Sequence, residues 1–161
     1  MRMPSLFTTV VLTFALVSPG AAAGQSSKGA SKGADGRTVK ITGTETMKYD
    51  VTTINAKPGE RLHVVLTAVG TMPKIVMAHN FVLLQQGTDA MALVTAGAQH
   101  RETDFIAPES KKDVLAATGM AGGGETVDVT FKAPMKRGEY PYLCSFPGHY
   151  VGGMKGTLVV K

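Results

Sequence analysis

Residues 61–69 (RLHVVLTAV) alternate strictly, with Leu62, Val64, Leu66 and Ala68 on one side and Arg61, His63, Val65 and Thr67 on the other. A period of two fixes a half-buried β-strand. Most of the remaining chain repeats that theme in short pieces. Residues 38–42, 47–54, 113–117, 125–132, 140–144 and 156–161 carry alternating or β-branched character, and residues 81–84 form a brief apolar run. Turn chemistry separates them at Lys57-Pro58-Gly59-Glu60, Gly122-Gly123-Gly124 and Ala133-Pro134. Only residues 88–103 depart from it. There Met91, Val94, Thr95 and Ala98 fit a helical spacing, Thr88 or Asp89 offers a cap, and Gly97 weakens the element. Seven or eight short strands and one helical excursion predict an all-β fold, a two-sheet Greek-key sandwich.

The chain begins outside that fold. Arg2 precedes an apolar stretch over residues 6–17, then Ser18-Pro19-Gly20 and Ala21-Ala22-Ala23. This three-part order predicts an export signal over residues 1–23, cut after Ala23. The apolar stretch is shorter than the ~20 residues that span a bilayer, so no membrane span is expected. Residues 24–37 (GQSSKGASKGADGR) hold nothing to bury and read as a flexible lead-in, leaving residues 38–161 as one domain. The expected compartment is the periplasm.

The formal charge of +5 includes Arg2 and three basic residues before Thr38, so the domain is only mildly basic. It carries no clustered basic stripe, which argues against nucleic-acid binding. No Ser-His-Asp set or phosphate-binding loop points to an enzyme. Cysteine usage is more informative. There is one, Cys144, and an exported chain with a single cysteine has no intramolecular disulfide to form. It must pair between chains, lie inert in the core, or bind a metal.

The segment Cys144-Ser-Phe-Pro-Gly-His149-Tyr-Val-Gly-Gly-Met154 favours the last of these. A thiolate, an imidazole and a thioether stand close together between two predicted strands, with Pro147, Gly148, Gly152 and Gly153 available to bend the loop back on itself. A second imidazole, His79, lies just before a strand far upstream. Each residue alone has an ordinary structural role: a buried thiol, a loop or strand-end histidine, a core methionine. Two nitrogens and a thiolate with a weak axial methionine, however, form the ligand set of an electron-transfer copper site. Cu(I) favours sulfur and Cu(II) nitrogen, so a mixed set serves both states and changes little between them. Copper also accounts for the unpaired cysteine, because a coordinating thiol is held deprotonated.

On these motifs the sequence resembles the cupredoxins, and among them the azurins and auracyanins. Residues 72–83 (MPKIVMAHNFVL) are similar to the azurin segment around the upstream histidine. Cys144-Ser-Phe-Pro-Gly-His149 with Met154-Lys-Gly-Thr-Leu158 resembles the C-terminal copper loop, and residues 104–110 and 126–131 match intervening stretches. The resemblance implies one type 1 copper per chain, with His79, Cys144 and His149 equatorial and Met154 axial. It also implies a weak axial backbone carbonyl at Ala78, a supporting Asn80 partnered by Ser145, and the Phe146 N–H donating to the Cys144 sulfur. It further implies single-electron carriage, not catalysis. The electron would pass through an exposed edge of His149, within an apolar patch of Met72, Val76, Met77, Phe146, Pro147 and Gly148. Redox proteins such as c-type cytochromes or copper and haem oxidoreductases would dock there transiently.

Three departures stand out. The azurin disulfide is excluded by the lone Cys144, the loop from His149 to Met154 has the longer auracyanin spacing, and Ala68 stands where many azurins carry a buried histidine. Copper delivery would call for open methionine or histidine clusters, and a multicopper oxidase for further histidines. Neither is present. A metal-free relative would have lost a ligand, and all four are here.

Overall fold

The computed structural model describes residues 36–161. The export signal read over residues 1–23, and the lead-in up to residue 35, lie outside the described residues. Strand β1 (Arg37–Thr44) already includes Arg37, which composition alone places in the lead-in. The guanidinium of Arg37 donates to Glu60 Oε1 at 2.7 Å and to the Asn55 carbonyl at 2.6 Å, and these bonds tie the first strand residue into the fold.

The remaining strands are β2 (Lys48–Tyr49), β3 (Thr53–Ala56), β4 (Arg61–Val69), β5 (Ala78–His79), β6 (Val82–Leu84), β7 (Val114–Ala117), β8 (Ala121–Gly122), β9 (Thr126–Lys132), β10 (Gly138–Leu143) and β11 (Lys155–Val160). They form a four-stranded sheet, β2-β1-β4-β9, and a five-stranded sheet, β3-β11-β10-β6-β7, with β5 and β8 as a separate ribbon. Two pairings are parallel, β1 with β4 and β3 with β11. The chain therefore leaves the first sheet after β2, enters the second at β3 and returns at β4. The predicted sandwich is the observed one.

Periodicity explains the layers. In β4, Leu62, Val64, Leu66 and Ala68 are all buried while their neighbours face outward. Ile41, Ile54, Phe81, Leu83, Tyr142 and Leu158 meet them between the sheets. Burying each large side chain contributes roughly 1.5–3 kcal/mol, so this face of β4 is a main support of the sandwich. Strand β6 is apolar throughout because both of its sides are covered. Leu83 faces the sandwich core, whereas Val82 and Leu84 pack with Leu93, Ile106 and Leu143 in a second cluster.

Two expectations are corrected. Residues 47–54 are not one strand: β2 and β3 are separated by a crossing at Asp50-Val51-Thr52, where Asp50 Oδ1 accepts from the Thr42 amide at 2.6 Å. The helical stretch resolves into helix α1 (Ala90–Gly97) and a short 3-10 turn, Arg101–Thr103. Asp89 caps α1 by accepting from the Ala92 amide. The face turned inward carries Ala90, Leu93 and Gly97, while Met91 is exposed. Among the described residues, no helix is long and apolar enough to cross a membrane.

Candidate metal centre

Strand pairing brings the distant donors together. His79 ends β5, held against β8 by the register His79 with Ala121. Cys144 follows β10 directly, and β10 pairs with β11 so that residues 144–154 form the connecting loop. That loop is closed by its own backbone. The Cys144 amide donates to the Met154 carbonyl at 3.1 Å, the Met154 amide to the His149 carbonyl at 2.9 Å and the His149 amide to the Phe146 carbonyl at 3.1 Å. Residues 149–152 make a single helical turn, α2 (His149–Gly152), which spacing alone does not reveal. Glycines bracket it because Gly148 (φ 85°) and Gly153 (φ 98°) are both left-handed, a conformation that side chains disfavour.

The His79 Nδ1 and His149 Nδ1 atoms stand 3.2 Å apart, and His149 Nδ1 is 3.5 Å from Cys144 Sγ. One donor atom from each of the three residues lies within 4.8 Å of the others. The Ala78 carbonyl oxygen approaches the same sulfur at 3.8 Å. Met154 is fully buried, and its methyl group and the His79 ring both border Gly43.

Burial controls the protonation of these groups. It pushes the Cys144 thiol up to about 12, although the Asn80 and Phe146 amides donate to the sulfur and oppose the rise. His149 is pushed down to about 4, first by burial and then by the nearby His79. His79 is lowered by burial, with Glu45 opposing. At neutral pH the set is a thiol and two neutral imidazoles, lacking a carboxylate. Two imidazole lone pairs and a thiol that needs a cation to ionise fit a borderline-soft metal, and copper fits better than calcium or magnesium, which take oxygen.

A second network fixes the two ligand segments to each other. Asn80 Nδ2 donates to Ser145 Oγ at 2.9 Å, and the Ser145 amide donates to Asn80 Oδ1 at 2.9 Å. The Ser145 hydroxyl in turn donates to the Asp104 carbonyl at 2.6 Å. The Tyr49 hydroxyl donates to the Asn80 carbonyl. Asp104 and Phe105 are both left-handed, and Phe105 packs edge-on against Phe146, whose ring lies 4.7 Å from that of His149. Sequence reasoning gives Tyr49, Asp104 and Phe105 no individual role at the site. A backbone acceptor such as Asp104 leaves no side-chain signal to read.

One sequence expectation needs correction. His149 is only 2% exposed, so an open ring edge is not presented. The turn of α2 directs its ring inward onto Phe146 and His79. Of the residues expected in the apolar patch, Met72, Val76, Pro147 and Gly148 are exposed, whereas Met77 and Phe146 are half-buried. Ile75 (64% exposed) borders one groove with Val76, Phe146 and Pro147, apolar surface not expected from sequence. The remaining histidines pair with carboxylates, His63 with Asp128 and His100 with Glu102.

Comparison with known proteins points the same way. Residues 37–161 match the model of copper binding proteins, plastocyanin/azurin family. Auracyanin-B of Chloroflexus aurantiacus is 46% identical over 83 residues, 51% of this chain and 35% of that protein, so the match spans about a third of that relative's length. Azurin of Pseudomonas aeruginosa is 38% identical over 127 residues, 76% of this chain and 84% of that protein. Among solved structures, dithionite-reduced auracyanin from Roseiflexus castenholzii superposes with a TM-score of 0.69 at 30% identity, covering 80% of this chain and 99% of that one.

Proposed function

The chain belongs to the plastocyanin/azurin family of copper-binding proteins, and on that footing we propose that it is an exported electron carrier holding one type 1 copper through His79, Cys144, His149 and Met154. The observation that carries this reading is the buried convergence of two imidazole nitrogens and one thiol within 4.8 Å, with no carboxylate among them. Copper supplies the one-electron Cu(II)/Cu(I) couple. The chain's own residues do the rest. His79 and His149 offer unprotonated nitrogens at neutral pH, and Cys144 gives up its proton on metal binding. Met154 would be the fourth, weakly held donor, and the Ala78 carbonyl, 3.8 Å from Cys144 Sγ, would lie close to the metal. The Asn80–Ser145 bonds hold the ligand segments in place through the redox change, and burial excludes water, keeping reorganisation small.

In this reading the electron passes by way of the His149 ring, which packs on half-buried Phe146 next to the exposed Pro147 and Gly148. Ile75, Val76, Phe146 and Pro147, which line one groove, would with the exposed Met72 offer the apolar face on which a redox protein docks briefly. Suitable partners are c-type cytochromes or copper and haem oxidoreductases. Residues 1–23 serve as a periplasmic export signal, and the copper domain runs from Arg37 to Lys161. The protein carries electrons and is not an enzyme.

The test is the visible spectrum of the mature protein after addition of Cu(II), and again after ascorbate. An intense thiolate-to-copper band near ~600 nm that bleaches reversibly is expected. Cys144→Ser should lose the band. A colourless parent protein would overturn the reading in favour of copper delivery or a metal-free role.

A further inference from the structure

Gly43 is the point at which the first sheet meets the ligands. It is buried in β1, opposite Tyr49 of β2 and Ala68 of β4. A Cβ there would lie 2.8 Å from Met154 Cε, 3.0 Å from His79 Cδ2 and 3.1 Å from His79 Cγ. Carbon atoms in ordinary contact stay about 3.5–4.0 Å apart, so any side chain at this position presses on two donor residues at once. Backbone conformation does not demand the glycine, because Gly43 is not among the positive-φ residues. Glycine inside a strand weakens it and marks a close approach by another group. Here the approaching groups are the metal ligands.

The same hairpin holds both ligand segments at further points. Lys48 Nζ donates to the Gly152 carbonyl at 2.6 Å, and a Cβ on Gly152 would stand 3.1 Å from Met47 Sδ. On the other side, the Glu45 carboxylate accepts from the Thr71 and Met72 amides at 2.7 and 2.8 Å, on the segment leading to His79.

Building on the copper reading above, we infer that Gly43 is a positioning residue that sets where the Met154 thioether stands beside His79, and so tunes the axial ligand. The Met154 methyl is the free end of a flexible chain, whereas the His79 ring is wedged against His149. A methyl group added at position 43 therefore displaces the thioether first.

The test is Gly43→Ala, read in two states. In metal-free protein carrying 13C-labelled methionine methyls, the Met154 resonance, assigned by its loss in Met154→Leu, is expected to shift while the far-UV circular dichroism is unchanged. In the copper-loaded protein, the reduction potential and the ratio of the visible bands shift, and copper affinity falls about tenfold or more. An unmoved Met154 resonance together with the parental potential and spectrum overturns the inference. If Gly43→Ala does not fold, Gly43→Ala/Met154→Ala decides. Recovery of the β-sheet spectrum places the obstruction at Met154 as inferred, and continued failure overturns it. A parent protein that never turns blue defeats the copper reading, whereas a blue parent with an unperturbed Gly43→Ala variant defeats only this inference.

Discussion

Asn80 bears on metal binding without touching the metal-ligating atoms through its side chain. Its amide group joins the His79 segment to the residue after Cys144, accepting from the Ser145 amide and donating to the Ser145 hydroxyl. Asn80→Ala leaves that buried amide without its partner, which costs about 1–3 kcal/mol. It also loosens two ligands at once, and loss of such a support lowers metal affinity roughly 10–100-fold. Urea unfolding of the metal-free protein measures the first effect and chelator competition the second. His79, Cys144 and His149 were legible as a cluster because one cysteine and four histidines leave few combinations, whereas Met154, one of nine methionines, was read only from its place in the Cys144 loop. Their supports were legible only in part. Asn80 and Ser145 came through resemblance, whereas Gly43 fell just past the strand read over residues 38–42 and nothing in the sequence marked it. The Asp104 carbonyl and the Tyr49 hydroxyl are joined to the site by folding alone.

At the scale of elements, helix α1 shows where a sequence pattern misleads. Its residues are mostly small or apolar, so more than one face satisfies helical spacing, and tertiary packing decides between them. Met91 faces outward while Leu93 enters the second core cluster. Gly97 is not merely a weak helix former. A Cβ there would stand 2.0 Å from the Phe105 carbonyl oxygen, in the segment that packs against the copper loop. Replacing glycine by alanine within a helix ordinarily gains up to about 1 kcal/mol. Overpacking costs about 1–3 kcal/mol, and the contact is with backbone that cannot swing away, so the net effect of Gly97→Ala is destabilising. Met91→Ala should stay within about 0.5 kcal/mol of the parent, as for other surface changes. Equilibrium unfolding of both variants checks the pair, and the reverse order would restore the face read from spacing. Residues 47–54 misled for a related reason. Alternation continues through Asp50-Val51-Thr52, although the chain changes sheets there, and periodicity carries no mark of which sheet a strand joins.

Across the whole molecule, stability and metal binding are set at opposite ends of the long strands. Strand β4 runs from Arg61, beside Glu60, to the Ala68–Val69 end that faces Gly43, and nine residues at about 3.3 Å each span roughly 30 Å. Glu60 closes the far end by accepting from Arg37 at 2.7 Å and from the Lys57 amide at 2.8 Å. The Arg37 hydrogen bond, then that from Lys57, holds its carboxyl below the usual glutamate value of 4.5. A depressed carboxyl stabilises the fold above its unfolded value and loses that contribution as pH falls through the folded value. The pair is partly solvent-accessible and screened, so the effect is on the order of 0.5 kcal/mol. Glu60→Gln should therefore be less stable than the parent at pH 7, with the two converging in urea unfolding of the metal-free protein as pH falls below the lowered folded value of Glu60. At neutral pH its copper spectrum should match the parent's, because no ligand or ligand support contacts Glu60. The complementary perturbation is Cys144→Ser, which removes a ligand at the other pole. Copper that binds only the folded chain stabilises it by about 2.7 kcal/mol when free metal is a hundredfold above Kd. Adding Cu(II) should thus raise the melting temperature of the parent and of Glu60→Gln by similar amounts, and that of Cys144→Ser by much less. Equal shifts in all three would mean that the stabilising metal sits elsewhere than at Cys144.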